Sequence, residues 1–288
     1  MGKDRVMARK PPPPLPPPAV PFVRRAPFGE EPWIVGCVGE PALLRECAAK
    51  APDFCDLLEI RIDLLSRGGP DGPVPGQTPD PSLGMADPEI LDCCRAIAAQ
   101  GLPILATIRH AAQGGKWQGE EAVRQGRYYT FAEVAAGIDS ELRAPGGVEF
   151  LRRFKADTGR HTVGSHHDFR MWPDRELPEL MSLAANAKVS VYKLAAEIEN
   201  RWAIEMAQRH IRECLDRGLR VGIQGMEPYG MICRASFIHT GSCCCYGAVG
   251  AELVIGQPTC RWLAEHTGRI GPTPRCTQAS LHKMVYGF

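Results

Sequence analysis

The chain has 288 residues, 44% of them hydrophobic, and a formal net charge of +1 at neutral pH. That length supports one large buried core, and the near-zero charge speaks against nucleic acid as a partner, because phosphate recognition draws on a surplus of Lys and Arg. No run approaches the roughly 20 apolar residues that span a bilayer, and the opening Met1-Gly2-Lys3-Asp4-Arg5 lacks the apolar segment of a secretory signal, so a cytoplasmic protein with no membrane partner is expected.

Residues 1–32 contain Pro11-Pro12-Pro13-Pro14-Leu15-Pro16-Pro17-Pro18, which favours polyproline II or disorder. They read as an extension ahead of a catalytic domain over residues 33–288. From Trp33 onward, short apolar runs alternate with amphipathic segments. The runs are Trp33–Val38, Leu57–Leu65, Pro103–Ile108, Ile138–Leu142, Thr162–Ser165, Lys188–Ala195, Arg220–Ile223 and Cys243–Val249. Helical stretches between them include Pro41–Ala51, Pro88–Gln100, Val148–Thr158, Glu197–Arg217 and Gly230–Thr240. Strand alternating with helix predicts parallel pairing through right-handed crossovers. Eight such repeats over about 225 residues predict a (β/α)8 TIM barrel, whose usual length is about 250. An open doubly wound sheet is the alternative, but Gly-x-Gly-x-x-Gly is absent. The Gly- and Pro-rich stretch Ser66–Asp87 reads as a loop. The 12 cysteines lack Cys-x-x-Cys or zinc-ligand spacing and read as reduced thiols packed as small hydrophobes, with no metal expected.

In such a barrel the strand C-termini build the active site. Lys193 interrupts the apolar run Val189-Ser190-Val191-Tyr192-Lys193-Leu194-Ala195, and His166-His167-Asp168 follows the preceding run. A lysine at one strand end beside a histidine at the next points to imine chemistry, the amine attacking a carbonyl while the imidazole moves protons. Desolvation near other cations would help supply the neutral amine; a lysine simply paired with Glu59 or Glu141 is the alternative. Alternation puts Glu59, Arg61 and Asp63 on one face, and only one of the two histidines inward. Arg61 and Arg109 at adjacent strand ends suit an anionic substrate, although Arg61 is equally explained by an ion pair with Glu59 or Asp63. Gln113-Gly114-Gly115 marks a tight turn. Gly225 through Arg234 forms a loop-to-helix junction suited to an anion, and Gly256-Gln257 marks another junction.

Taken in order, Glu-x-Arg-x-Asp, Thr-x-Arg before Gly-Gly, Asp-x-Glu, Ser-x-His-Asp-Phe, Tyr-Lys-Leu-Ala, Met-x-x-x-Gly-x-x-x-Arg and Gly-Gln make a series over about residues 33–259 that resembles the type I 3-dehydroquinate dehydratases. The resemblance implies a homodimeric TIM barrel, free of metal and organic cofactor, that dehydrates 3-dehydroquinate to 3-dehydroshikimate in the shikimate pathway. It implies that Lys193 forms the imine and that His167 is the general base and acid. Glu59, Arg61 and Arg109 would bind the substrate, Arg234 would take its carboxylate, and Gln257 would close over it. Three departures stand out. Gln113 occupies a position usually held by glutamate, which predicts a lower pKa for His167. Leu253 replaces a serine. Glu227 and Cys233 replace a glycine and a serine around Arg234. The competing readings are a class I aldolase on the same barrel, a non-catalytic relative, and an interaction protein acting through its proline tail.

Overall fold

Intervening segments too long for a hairpin force the apolar runs into parallel pairing, and eight strands assemble in the order β7-β6-β5-β4-β3-β2-β1-β8. The structure, a computed structural model, describes residues 22–29, 31–66, 84–250 and 256–270; the proline run, most of the Gly/Pro-rich insertion, Leu253 and the tail after residue 270 lie outside them. The strands are β1 (Trp33–Val38), β2 (Leu57–Arg61), β3 (Ile104–Thr107), β4 (Gly137–Glu141), β5 (His161–Asp168), β6 (Val191–Ile198), β7 (Val221–Pro228) and β8 (Cys244–Ala248). Between and after them run α1 (Pro41–Ala49), α2 (Ile62–Leu65), α3 (Asp87–Ala99), α4 (Glu121–Phe131), α5 (Gly147–Thr158), α6 (Leu177–Ala187), α7 (Arg201–Asp216), α8 (Gly230–Thr240) and α9 (Cys260–His266). This is the TIM barrel expected from the alternation. Among the described residues, no helix is long and apolar enough to cross a membrane.

Two differences from the apolar pattern matter for the site. Strands β5, β6 and β7 run on through His166–Asp168, Ala196–Ile198 and Gln224–Pro228, where polar residues (His166, His167, Asp168, Glu197, Gln224 and Glu227) break the hydrophobic pattern. Strand β2 stops at Arg61, and Asp63 sits in the helical turn α2 rather than third on the strand face.

Alternation sorts the side chains into two cores. Outward residues such as Ile34, Leu58, Ile60, Ala106, Ile138, Leu194 and Ile223 pack under the helices with Leu44, Ile90, Phe150, Leu180 and Ile211. Each of the Leu, Ile and Phe side chains contributes about 1.5–3 kcal/mol by leaving water. Inward residues Val35, Leu57, Leu105, Val163 and Val191 fill the lower barrel together with Trp33 and Phe28. Phe28 stacks on His161 at 4.2 Å and closes the barrel floor. Two residues further along the strands, the same inward files turn polar: Glu59, Thr107, Ser165 and Lys193 stand directly above Leu57, Leu105, Val163 and Val191. The apolar floor thus leaves a charged layer near the barrel mouth, where every charge must find a partner or a ligand.

Candidate active site

The strand register brings Lys193 and His167 together. On neighbouring strands, Ser165 pairs with Lys193 and His167 with Ala195. The histidine therefore stands one inward step above the lysine, on the adjacent strand. Both line a single cavity with Glu59, Arg61, Arg109 and Gln113, and the same cavity reaches Arg234 and Gln257. Its free space, about 90 Å³, is room for a handful of water molecules, and so for one small molecule.

Lys193 is 4% exposed. Its Nζ lies 2.8 Å from Asp139 Oδ2 and 3.4 Å from Glu59 Oε1, and 3.8 Å from the centre of the Tyr246 ring. The amine is thus ringed by two carboxylates and an aromatic face, and its second carboxylate is Asp139 rather than Glu141. Asp139 is shared: its Oδ1 accepts from Arg109 Nη2 at 2.9 Å and from Ser165 Oγ at 2.6 Å. Burial would push the Asp139 carboxyl up, but Arg109, Lys193 and His167 hold it well below the usual carboxylate range. Glu59 accepts from Thr107 Oγ1 at 2.9 Å. Glu141 takes Arg109 at 3.2 Å, the His110 amide at 3.0 Å and the Arg124 guanidinium.

The arginines divide by what already holds them. Arg61 is gripped bidentately by Asp63 at 3.0 and 2.8 Å, and Arg109 is spent on Asp139, Glu141 and Ser165. Arg234 is different. It is 5% exposed, and its guanidinium donates to the carbonyls of Gly225 at 3.0 Å and Tyr246 at 2.7 Å. Among the described residues no carboxylate pairs with it. Burial pushes its pKa down, the sign of a cation held without a full counter-charge. Gln257 completes this wall: its Nε2 donates to Cys37 Sγ at 3.4 Å, while its buried Oε1 has no partner among the described residues.

Gln113 orients the His167 ring. Its Oε1 accepts the His167 backbone N–H at 3.0 Å and lies 3.3 Å from His167 Nδ1. An oxygen that already accepts from an amide can only accept from the ring as well, so Nδ1 carries the hydrogen and Nε2 keeps its lone pair. The turn that carries Gln113 depends on glycine: Gly114 has φ +77°, and a Cβ on Gly115 would stand 1.9 Å from the Arg109 carbonyl oxygen. The His167 pKa is well below its ordinary value, because of burial first, then the charges of Arg109 and Lys193, with Asp139 opposing. The direction matches the expectation drawn from Gln113, but the leading cause is the enclosed site. His166 points away from the cavity; it is buried, 3.9 Å from Glu176. Glu227 is exposed and lies across Gly256, whose added Cβ would meet its Oε1 at 1.6 Å. Cys37, Asp139, Ser165, Gln224 and Tyr246 also belong to the site and carried little signal in the sequence. Asp139 lay in the Asp-x-Glu pair, but spacing alone does not reveal that it, and not Glu141, reaches the lysine.

Residues 40–269 match the family described as type I 3-dehydroquinase. The chain belongs to that family. A family member from Methanothrix thermoacetophila, 3-dehydroquinate dehydratase, is 28% identical over 232 residues, spanning 81% of this chain and 89% of that relative. The 3-dehydroquinate dehydratase of Methanococcoides burtonii is 30% identical over 176 residues, 59% of this chain and 67% of its own. The crystal structure of 3-dehydroquinate dehydratase from Geobacillus kaustophilus superposes with a TM-score of 0.70 at 20% identity, covering 88% of this chain and 96% of that one. The barrel is therefore the family's fold as well as the one the alternation predicts.

Proposed function

We propose that the chain dehydrates 3-dehydroquinate to 3-dehydroshikimate through an imine on Lys193, with His167 as the proton carrier. The observation that carries this reading is the convergence, in one small cavity, of a buried lysine, an imidazole with a free Nε2, and an arginine lacking a carboxylate partner. The Lys193 amine adds to the substrate ketone and water departs, leaving a protonated imine. That cation draws electrons from the neighbouring carbon and acidifies its C–H. Nε2 of His167 takes the proton, the electron pair moves into the new C=C bond, and the imidazolium returns the proton to the departing hydroxyl, which leaves as a second water. Hydrolysis of the imine consumes one water and frees the enone, so the net change is loss of one water.

The other residues serve this cycle. Asp139 and Glu59, which hold the free amine, become counter-ions for the imine cation. Arg109 holds Asp139 in place rather than gripping substrate itself. Arg234 takes the carboxylate bidentately, and the unpartnered Oε1 of Gln257 accepts a substrate hydroxyl. The test is the ultraviolet absorbance of the enone: it should rise when dehydroquinate, but not a sugar phosphate, is added to the protein. Release of a cleaved aldehyde from a sugar phosphate would favour the aldolase reading instead.

Two variants probe the parts separately. Arg234→Lys keeps the charge but loses the fork, and is expected to lower kcat/KM about 100-fold, mostly through KM; an unchanged KM would remove Arg234 from the carboxylate site. Gln113→Glu keeps the acceptor for His167 and adds a negative charge beside the ring. It is expected to raise the His167 pKa, move the acid limb of the rate profile to higher pH and leave turnover equal or higher. A large loss of turnover would contradict the orienting role given to Gln113.

A further inference from the structure

Seven of the eight possible strand junctions carry a parallel ladder; β7 and β8 end the sheet and share none. Among the described residues a single backbone bond crosses there, from the Cys243 amide to the Val221 carbonyl at 2.8 Å. Side chains cross the rest. Gln224 Nε2 donates to the Cys244 carbonyl at 3.0 Å while its Oε1 accepts the Tyr246 amide at 3.0 Å, so one carboxamide supplies the donor and acceptor a neighbouring strand would have supplied. Ser242 Oγ accepts the Ile223 amide at 3.1 Å and donates to the Cys244 carbonyl at 3.1 Å. Gly222 permits the close approach, since a Cβ there would lie 2.5 Å from Cys244 Sγ. Higher up, Arg234 joins the Gly225 carbonyl of β7 to the Tyr246 carbonyl of β8.

The two groups that Gln224 fixes through this seam both face the reaction. Tyr246 carries its ring over Lys193 Nζ, and its carbonyl aims the Arg234 guanidinium. Gln224 is itself 2% exposed and lines the cavity. We propose that Gln224 is a positioning residue, whose carboxamide zips β7 to β8 and thereby holds Tyr246 and Arg234 against the substrate. The proposal rests on the dehydratase reading above for its kinetic consequence, but its structural half does not.

The test is Gln224→Met, close in length and without either hydrogen bond. Hydrogen exchange of the peptide covering residues 243–249 should speed up about tenfold, and KM for dehydroquinate should rise about tenfold with kcat within about threefold of wild type. Either quantity staying at its wild-type value in folded protein overturns the proposal; a faster exchange with unchanged KM would make the residue merely structural. If Gln224→Met does not fold, Gln224→Glu takes its place. Protonated, that acid can donate to the Cys244 carbonyl as the amide does; ionised, it cannot. Its KM and its exchange rate, each taken relative to wild type at the same pH, should therefore both recover as pH falls, and pH-independent ratios would overturn the proposal. Absence of turnover in wild type would sink the dehydratase reading alone, because the exchange measurement still reports on the seam.

Discussion

Lys193→Ala is expected to slow the conversion of 3-dehydroquinate by at least about 10^4-fold, because the variant has no amine with which to build the electron sink. The cavity would still bind the substrate carboxylate through Arg234, so KM should change far less than kcat. The substitution also strips a cation from between Asp139 and Glu59, both almost completely buried. Breaking such a buried pair costs about 3–5 kcal/mol in general, and here Arg109 remains to balance Asp139, so the expected loss of stability lies at the lower end. Thermal unfolding of the variant separates the two effects. A folded Lys193→Ala protein that retained even about a hundredth of wild-type turnover would remove the imine from the account.

His167→Ala is expected to lower turnover about 10²- to 10⁴-fold, the usual contribution of a positioned acid–base group. Imine formation should survive better than elimination, so borohydride should still trap adduct on this variant. The wild-type pH profile follows from the same group. Burial and the cations Arg109 and Lys193 hold the imidazole neutral to pH values well below 6.5. A base must be neutral to act, so the acid limb of kcat/KM is expected well below pH 6.5 and not at it. The stability sign runs the same way: between the depressed folded pKa and 6.5 the unfolded chain binds the proton that the folded one refuses, so folding stability falls as pH drops through that window. His210, lowered to about 4 by burial, contributes in the same direction. Loss of less than about tenfold in His167→Ala, in kcat and in kcat/KM alike, would assign the proton transfer elsewhere.

Much of the barrel is legible because short apolar runs, buried on both faces, alternate along the chain with amphipathic stretches. Trp33–Val38 was marked to the residue, since all six positions are buried and apolar or small. Strand β7 was marked only to Ile223, because Gln224, Glu227 and Pro228 do not read as strand until a neighbouring strand is there to pair with. Helix α4 is harder to read because its buried face places the charged Arg124 beside Tyr128 and Phe131. Of the site, alternation and motif order placed all eight expected residues around one cavity. What they could not supply was pairing. Spacing says that Asp139 and Glu141 both face inward; only the folded barrel shows that both hold Arg109, that Asp139 also reaches Lys193, and that Glu141 turns to Arg124 instead. Gln224 was invisible for a related reason, as its role exists only where two strands distant in sequence fail to form a ladder.

The most direct test of the covalent step is to reduce the full chain with borohydride in the presence of dehydroquinate and to map the product by peptide mass spectrometry. The account predicts one substrate-derived mass increment per chain, carried by the peptide that contains Lys193 and absent from Lys193→Ala. Turnover without any trapped adduct, or an adduct on another lysine, would contradict it.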